Sequence, residues 1–441
     1  MMRMRSLVLV LCLLVSMLVA GCGTSNKSEG VQSNEVGNQE PSSNEIGSKD
    51  PIKLKFGVNV TPILTKEFWQ ESVAKFTKEH PNVTVELVTS PSSNVDWTTH
   101  LKTLLATGDM PDVMVMMSPG DFVPSGALAE LTDADVDYLS DLNSGKMGGK
   151  RYVAIYKKQL AGIFYNKKIF ADNGLSEPKT LQELIDISEN LKSKGITPMS
   201  IGAKDGWPTF VLASSLVTSM VSAKNPNFGA DRNAGKFTYS DPEIVKAMEN
   251  FKLFSIQYAG NDVGSTSYTQ ILEKFFKGKT AMMPMGSWAQ GEVERLKPDF
   301  EVGFFPVPNE TDANVIPVFT NEGLAISSRT KYPDESMALI RSFFTDKEWY
   351  GKFLKTEMLF PTTKEDVPYE MSALRKEIGE KINNWKQVEI FTDATGDNAL
   401  LPGIQGAWYK ADASISMGTN VKNELAALDK EWDRANAALE K

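Results

Sequence analysis

The sequence predicts an α/β protein folded as two lobes. Strand and helix patterns alternate from Ile52 onward, and the alternation restarts after Gly162. Val113 to Met117 is also a short, nearly continuous apolar run, as expected of a strand buried on both faces of a parallel sheet. Ile52 to Val58 alternates as a strand. Glu67 to Glu79 carries Trp69, Val73 and Phe76 at helical spacing, and His80-Pro81 closes that helix. Val83, Val85 and Leu87 alternate again. Trp97, Leu101, Leu104 and Leu105 mark a second amphipathic helix, ended by Gly108 and Pro111. In the second half, Gly162 to Tyr165 reads as a strand. Thr180-Leu181-Gln182-Glu183 then reads as a capping box opening a helix that Gly195 ends. Ile196 to Ile201 is a further strand. Ser240-Asp241-Pro242 starts a long helix through Ile244, Met248 and Phe251, with proline in its first turn. Thr280 to Met283 and Val302 to Phe305 are strands. Clefts between lobes of this kind are where small ligands usually bind.

The first 21 residues have the layout of a secretory signal peptide: Arg3 and Arg5, an apolar run from Ser6 to Ala20, then Val19-Ala20-Gly21 leading into Cys22. The run is short for a bilayer-spanning helix, which needs roughly 20 apolar residues. Leu18 to Cys22 resembles a bacterial lipobox, which implies lipid on Cys22 and a place on the outer face of the cell membrane of a Gram-positive bacterium. An ordinary signal peptide with an incidental cysteine and an uncleaved anchor are the other readings. Residues 23–50 contain Ser, Asn, Gly, Gln and Glu with no aromatic residue, so they cannot bury enough surface to offset the entropy of ordering. A flexible tether of that length spans on the order of 30 Å.

Of the two cysteines, Cys12 lies in the signal segment and Cys22 is consumed by lipid, so no disulfide or thiol remains to staple the fold. The net charge of −9 becomes about −11 once Arg3 and Arg5 are removed, and the lysines are scattered. That balance argues against nucleic acid and against docking on anionic lipid. With only His80 and His100, and no cysteine to spare, nucleophilic catalysis has almost no material. No His/Cys cluster has metal spacing, and no phosphate-loop or dinucleotide glycine pattern is present, so no metal or cofactor is expected.

Several segments carry a family resemblance when taken in order. They are Phe76 to Val85, Ala106 to Val113, Tyr165 to Phe170, and Gly174-Leu175 with Pro178-Lys179-Thr180. Phe276 to Met282 with Gly286-Ser287-Trp288, Gly303 to Pro308 and Gly323 to Ser327 follow. Their order over Ile52 to about Ala438 resembles the family 1 extracellular solute-binding proteins of ABC importers, the group that includes maltose-binding protein. The resemblance implies a two-lobe periplasmic-binding-protein-like fold (type II), a carbohydrate ligand, permease subunits as partners, and a monomer. It places one lobe at residues 51–160 plus 321–361 and the other at 161–320 plus 362–441. The crossings would fall near Lys157 to Ala161, Asn314 to Thr320 and Pro361 to Val367. A surface glycoside hydrolase, which needs only two carboxylates about 5–10 Å apart, and a sugar sensor for a membrane receptor are the alternatives.

A sugar offers apolar C–H faces ringed by hydroxyls, so its site needs aromatic planes beside Asp, Asn, Gln or Arg. Of the eight tryptophans, Trp69, Trp349 and Trp432 lie on helical apolar stripes and read as core. Trp288 follows a strand end, where the crevice of an open α/β sheet forms, and the resemblance gives it a stacking role. The resemblance gives similar roles to Trp408 and to Trp207 beside Pro208. Trp97 fits site or core equally. Asp121 matches a family carboxylate, Asn59 and Thr61 occupy the matching loop of the same lobe, and Gln159 stands where a family member has an acidic ligand residue.

Overall fold

The computed structural model describes residues 51–439, apart from 62–63, 92–94, 143–144 and 312–313. The signal peptide, Cys22 and the tether lie outside these residues. The strands are β1 (Ile52–Gly57), β2 (Val83–Val88), β3 (Val113–Met116), β4 (Lys146–Met147), β5 (Lys150–Arg151) and β6 (Ala154–Ile155). They continue with β7 (Gln159–Asn166), β8 (Thr197–Met199), β9 (Thr280–Gly286), β10 (Val302–Phe305), β11 (Val315–Phe319), β12 (Gly323–Ile326) and β13 (Lys386–Glu389).

Two sheets organise the molecule. The first has the order β2-β1-β3-β12-β6; the second runs β13-β11-β7-β9-β8, with β10 also paired to β7. β1 pairs in parallel with both β2 and β3, as their helical connections require. β7 is antiparallel to β9, β10 and β11 and is buried along its whole length. Separate cores follow the two sheets. One draws on residues 54–156 and 324–367, the others on 160–319 and 360–432. In the first core Trp69 is fully buried, and its ring meets Phe56 edge-on at 5.7 Å and lies beside Phe343 at 6.4 Å. Each such side chain contributes roughly 1.5–3 kcal/mol by leaving water.

Local chemistry sets the helix ends. Thr65 caps the helix Lys66–Glu79 by accepting from the Phe68 amide, and Gly108, at φ +80°, ends Trp97–Thr107 in the left-handed region that favours glycine. Thr180 accepts from the Glu183 amide as expected, but the Glu183 carboxylate reaches back to the Lys179 amide and not to Thr180. The reciprocal capping box forms instead at Ser267 and Gln270.

Three segments pass between the sheets. Tyr156–Lys158 joins β6 to β7, and Thr320–Glu322 joins β11 to β12. The second lies later than the sequence implied, because Val315–Phe319 is itself a strand of the second sheet. The third passes back and forth between the cores: Phe360 packs in a core of the second sheet, Thr362 donates to the Ile155 carbonyl at 2.8 Å, Val367 packs in the first core, and Leu374 belongs again to a core of the second sheet. The β4–β5 hairpin reaches the loop after Thr395, where the Gly148 amide donates to Asp397 at 2.7 Å.

Candidate functional site

Strand register decides which loops meet. β12 is antiparallel to β3 with Gly323 opposite Met116, and antiparallel to β6 with Gly323 opposite Ile155. The carboxyl ends of β3 and β6 therefore share one edge with the segment Thr320–Glu322, and β1, parallel to β3, ends there too. In the second sheet Phe319 lies opposite Gln159 and Gly286 opposite Ala161, so the carboxyl ends of β9 and β11 adjoin the same crossings. Asn59, Thr61 and Asp121 follow the first edge, and Trp288 follows the second.

A run of aromatic rings lines the second edge. Tyr268 lies 5.0 Å from Trp207, Trp207 6.3 Å from Trp288, and Trp288 5.3 Å from Phe319. Phe319 continues to Phe210 at 5.9 Å and Phe210 to Tyr409 at 4.9 Å. Phe210 and Phe319 are buried supports; Trp207, Tyr268, Trp288 and Tyr409 are half-buried. Gly286 makes the Trp288 position possible, because a Cβ there would stand 1.9 Å from the indole ring. The glycine makes room for the indole itself, not for a ligand.

Acidic groups gather where the crossings meet. Tyr156 donates to Glu322 at 2.6 Å, and the Lys157 ammonium lies 3.5 Å from the same carboxylate. Burial pushes Glu357 up to about 7; the charge of Glu322 adds to this and Lys157 opposes it. Burial likewise raises Asp393 to about 6, against the pull of Lys157 and of hydrogen bonds from Thr392 and Gln405. The side-chain amides of Gln405 and Asn321 both donate to the Asp393 carboxylate, at 3.1 Å and 3.4 Å. The Tyr409 phenol is pushed up by burial, with Asp393 and Asp412 adding, so it remains a hydrogen-bond donor at neutral pH. Planes beside acceptors are what a polyhydroxylated ring requires.

The residues singled out from sequence separate into groups. Trp288 and Trp207 come together in the aromatic run. Trp408 does not join them: it is 1% exposed, packed edge-on against Tyr239 and Phe391. Helical periodicity explains this, since Ile404, Trp408, Ala411 and Ile415 form the buried stripe of the helix Ile404–Ser416 and turn Tyr409 toward the rings. Trp97, 2% exposed, is also core; its indole donates to the Val115 carbonyl at 2.8 Å and fills the space beside Gly57. Gln159 is 6% exposed and donates to the Glu357 carbonyl at 3.4 Å, which ties the start of β7 to the end of the helix Lys347–Thr356. Asn59 accepts from the Trp69 indole at 3.0 Å through its backbone, Thr61 accepts from the Leu64 amide at 2.9 Å, and Asp121 pairs with Lys102 at 2.9 Å. Tyr268, Tyr409, Asp393, Glu322 and Glu357 had not been singled out. For Tyr409 the helical stripe was the available signal; the carboxylates are far apart in sequence.

Among the described residues no group of His, Cys, Asp and Glu could hold a metal ion, and no helix is long and apolar enough to cross a membrane. A multiple sugar-binding protein of Streptococcus mutans is 28% identical over 291 residues, 62% of this chain and 67% of that protein. An uncharacterized ABC transporter extracellular-binding protein of Pyrococcus horikoshii is 24% identical over 318 residues, 69% of this chain and 68% of that one. Among solved structures, a chitin oligosaccharide binding protein superposes with a TM-score of 0.72 at 26% identity, covering 88% of this chain and all of that one. The architecture of two α/β lobes about a cleft is thus shared with known binding proteins. A family profile described as bacterial extracellular solute-binding protein matches residues 63–349, and the chain belongs to this family of ABC transporter binding proteins, which are not enzymes.

Proposed function

We propose that this protein captures a carbohydrate of oligosaccharide size outside the cell and delivers it to the membrane permease subunits of an ABC importer. The run of half-buried rings, with Asp393 close to Tyr409 and with Glu357 and Glu322 gathered about Lys157 at the adjoining crossing, carries this reading. The indole of Trp288 takes the apolar face of a sugar ring, while carboxylates and the Gln405 amide bond its hydroxyls. Closure of the lobes over the ligand removes water and strengthens those bonds. The names of the relatives, a multiple sugar-binding protein and a chitin oligosaccharide binding protein, point to the same ligand class. In this reading the protein works as a monomer, held by lipid on Cys22 at the outer face of a Gram-positive cell membrane. Asn59, Thr61 and Asp121, on the facing edge, complete the site once the cleft closes.

A thermal-shift screen over mono- and oligosaccharides tests the reading, because a ligand that binds only the folded state raises the melting temperature. Trp288→Ala should then cost roughly 30- to 1,000-fold in affinity for the hit. A steep fall in melting temperature with affinity preserved would make Trp288 a packing residue. Cys22→Ala should release the protein from membranes, and retention with normal processing would count against the anchor.

A further inference from the structure

We infer that the cleft selects its ligand by charge: a sugar carrying a free amine is taken in preference to its neutral parent, and a uronic acid is turned away. This rests on the sugar-binding reading above and concerns the same site. Four ionisable side chains from four separate segments meet where the crossings adjoin the rings. Lys157 stands on the first crossing and Glu322 on the second, Glu357 follows the helix Lys347–Thr356, and Asp393 follows β13. Gln159, opposite Phe319 in the second sheet, donates to the Glu357 carbonyl, so Glu357 lies close to the strand end that supports Trp288. The charge of Asp393 reaches the Tyr409 phenol, at the end of the same run of rings.

The charges at this junction do not balance. Three carboxyl groups share one ammonium. Lys157 lies 3.5 Å from Glu322, and among the described residues it is also the one cation whose charge reaches Glu357 or Asp393. Hydrogen bonding is unbalanced in the same sense. Glu322 accepts from Tyr156, and Asp393 accepts from Thr392, Gln405 and Asn321. The buried Oε1 of Glu357 and the buried Oδ1 of Asn321 accept from no group of the protein. A buried acceptor without a donor carries a desolvation cost that a ligand can remove. With no second cation at hand, burial holds Glu357 at about 7 and Asp393 at about 6, partly protonated near neutrality. The junction therefore lacks positive charge and donors together. A neutral hydroxyl supplies a donor alone. A protonated amine supplies three donors and the missing charge, and its bonds to carboxylates are of the stronger, charge-assisted kind. A uronate brings only more acceptors and a like charge, which repels.

The test is calorimetry on the full chain at about pH 6.5, where a sugar amine, like an α-amino group, stays protonated. The probes are two matched sets: glucose, glucosamine, N-acetylglucosamine and glucuronate, and the four corresponding galactose derivatives. Maltotetraose and raffinose serve as neutral oligosaccharides. The amine should bind roughly 10- to 100-fold more tightly than its neutral parent, and N-acetylation, which removes the charge, should abolish the gain. Raising sodium chloride from about 20 to about 500 mM should erode the amine's advantage several-fold without moving the neutral sugars. Glu357→Gln keeps the shape of the side chain and removes its charge, so it should cut that advantage roughly 3- to 10-fold. Lys157→Met, which removes the opposing cation, should enlarge it. If either variant is unstable, the salt series on the unaltered protein asks the same question. An amine bound no more tightly than its parent, or binding of neutral sugars or uronates alone, would overturn the charge preference while leaving sugar capture intact. Failure of every sugar to bind would overturn the capture reading, and this inference with it.

Discussion

Asp393 and Glu357 are carboxyl groups that the fold keeps partly protonated near neutrality, at about 6 and about 7. Free carboxyls titrate near 4, so the two groups bind more protons in the folded chain than in the unfolded one. Their contribution to stability is therefore fully present below about pH 4 and is lost as pH rises through about 6 to 7. Ligand binding runs the other way. Sugar hydroxyls donate to carboxylates, which favours the ionised form. Affinity should therefore rise by roughly three- to tenfold between pH 5.5 and 8, and Asp393→Asn should flatten part of that rise. Calorimetry across this range checks it, and an affinity that is constant or falls with pH would remove the two groups from the site. Residues of this kind were not legible in the chain. An aspartate inside Phe391-Thr392-Asp393 has nothing local to mark it; burial by the fold raises it, and the charge that opposes the rise, Lys157, is more than 200 positions away.

The unit that presents Trp288 is the end of β9 with the short turn Ser287–Ala289 behind it. The motif Gly286-Ser287-Trp288 was conspicuous in the sequence, but the duty of its glycine was not. The indole folds back across the strand end, into space that any side chain at Gly286 would occupy. Ser287, fully buried, holds the turn by accepting from the Leu160 amide at 3.0 Å. Gly286→Ala should therefore displace the indole without deleting it. The expected result is an affinity loss of roughly tenfold and a stability loss of about 1–3 kcal/mol from overpacking. Tryptophan fluorescence together with calorimetry reads both effects. Unchanged affinity with an unshifted spectrum would mean that the indole position is not what the site depends on. The neighbouring helix Ile404–Ser416 makes the complementary point: its apolar stripe was readable, and it assigns Trp408 to the core and Tyr409 to the rings.

At the scale of the molecule, separate cores joined by three crossings favour motion between lobes over motion within them. Small-angle scattering with a saturating ligand should show a smaller radius of gyration, and an unchanged radius on confirmed binding would argue against closure. The hairpin contact from Gly148 to Asp397 and the Gln159 bond to Glu357 are non-covalent ties bridging the crossings and the facing lobe, so they are the places where hinge mobility would first respond to substitution.

The alternation of strands and helices, the apolar β3, and the helix ends at Thr180 and Gly108 are legible in the chain. Each of these depends on side chains within a few positions of one another. Trp288 stands out locally because it follows a recognisable strand end, whereas Trp207 is marked through the family resemblance. Long-range pairing and packing are what place Val315–Phe319 in the second sheet, pass residues 360–374 through both cores, and make Trp97 and Trp408 interior. The physical reason is the same in each case. Strand pairing, burial and the gathering of Glu322, Glu357 and Asp393 about Lys157 depend on contacts between distant parts of the chain, and no local pattern of residues encodes them.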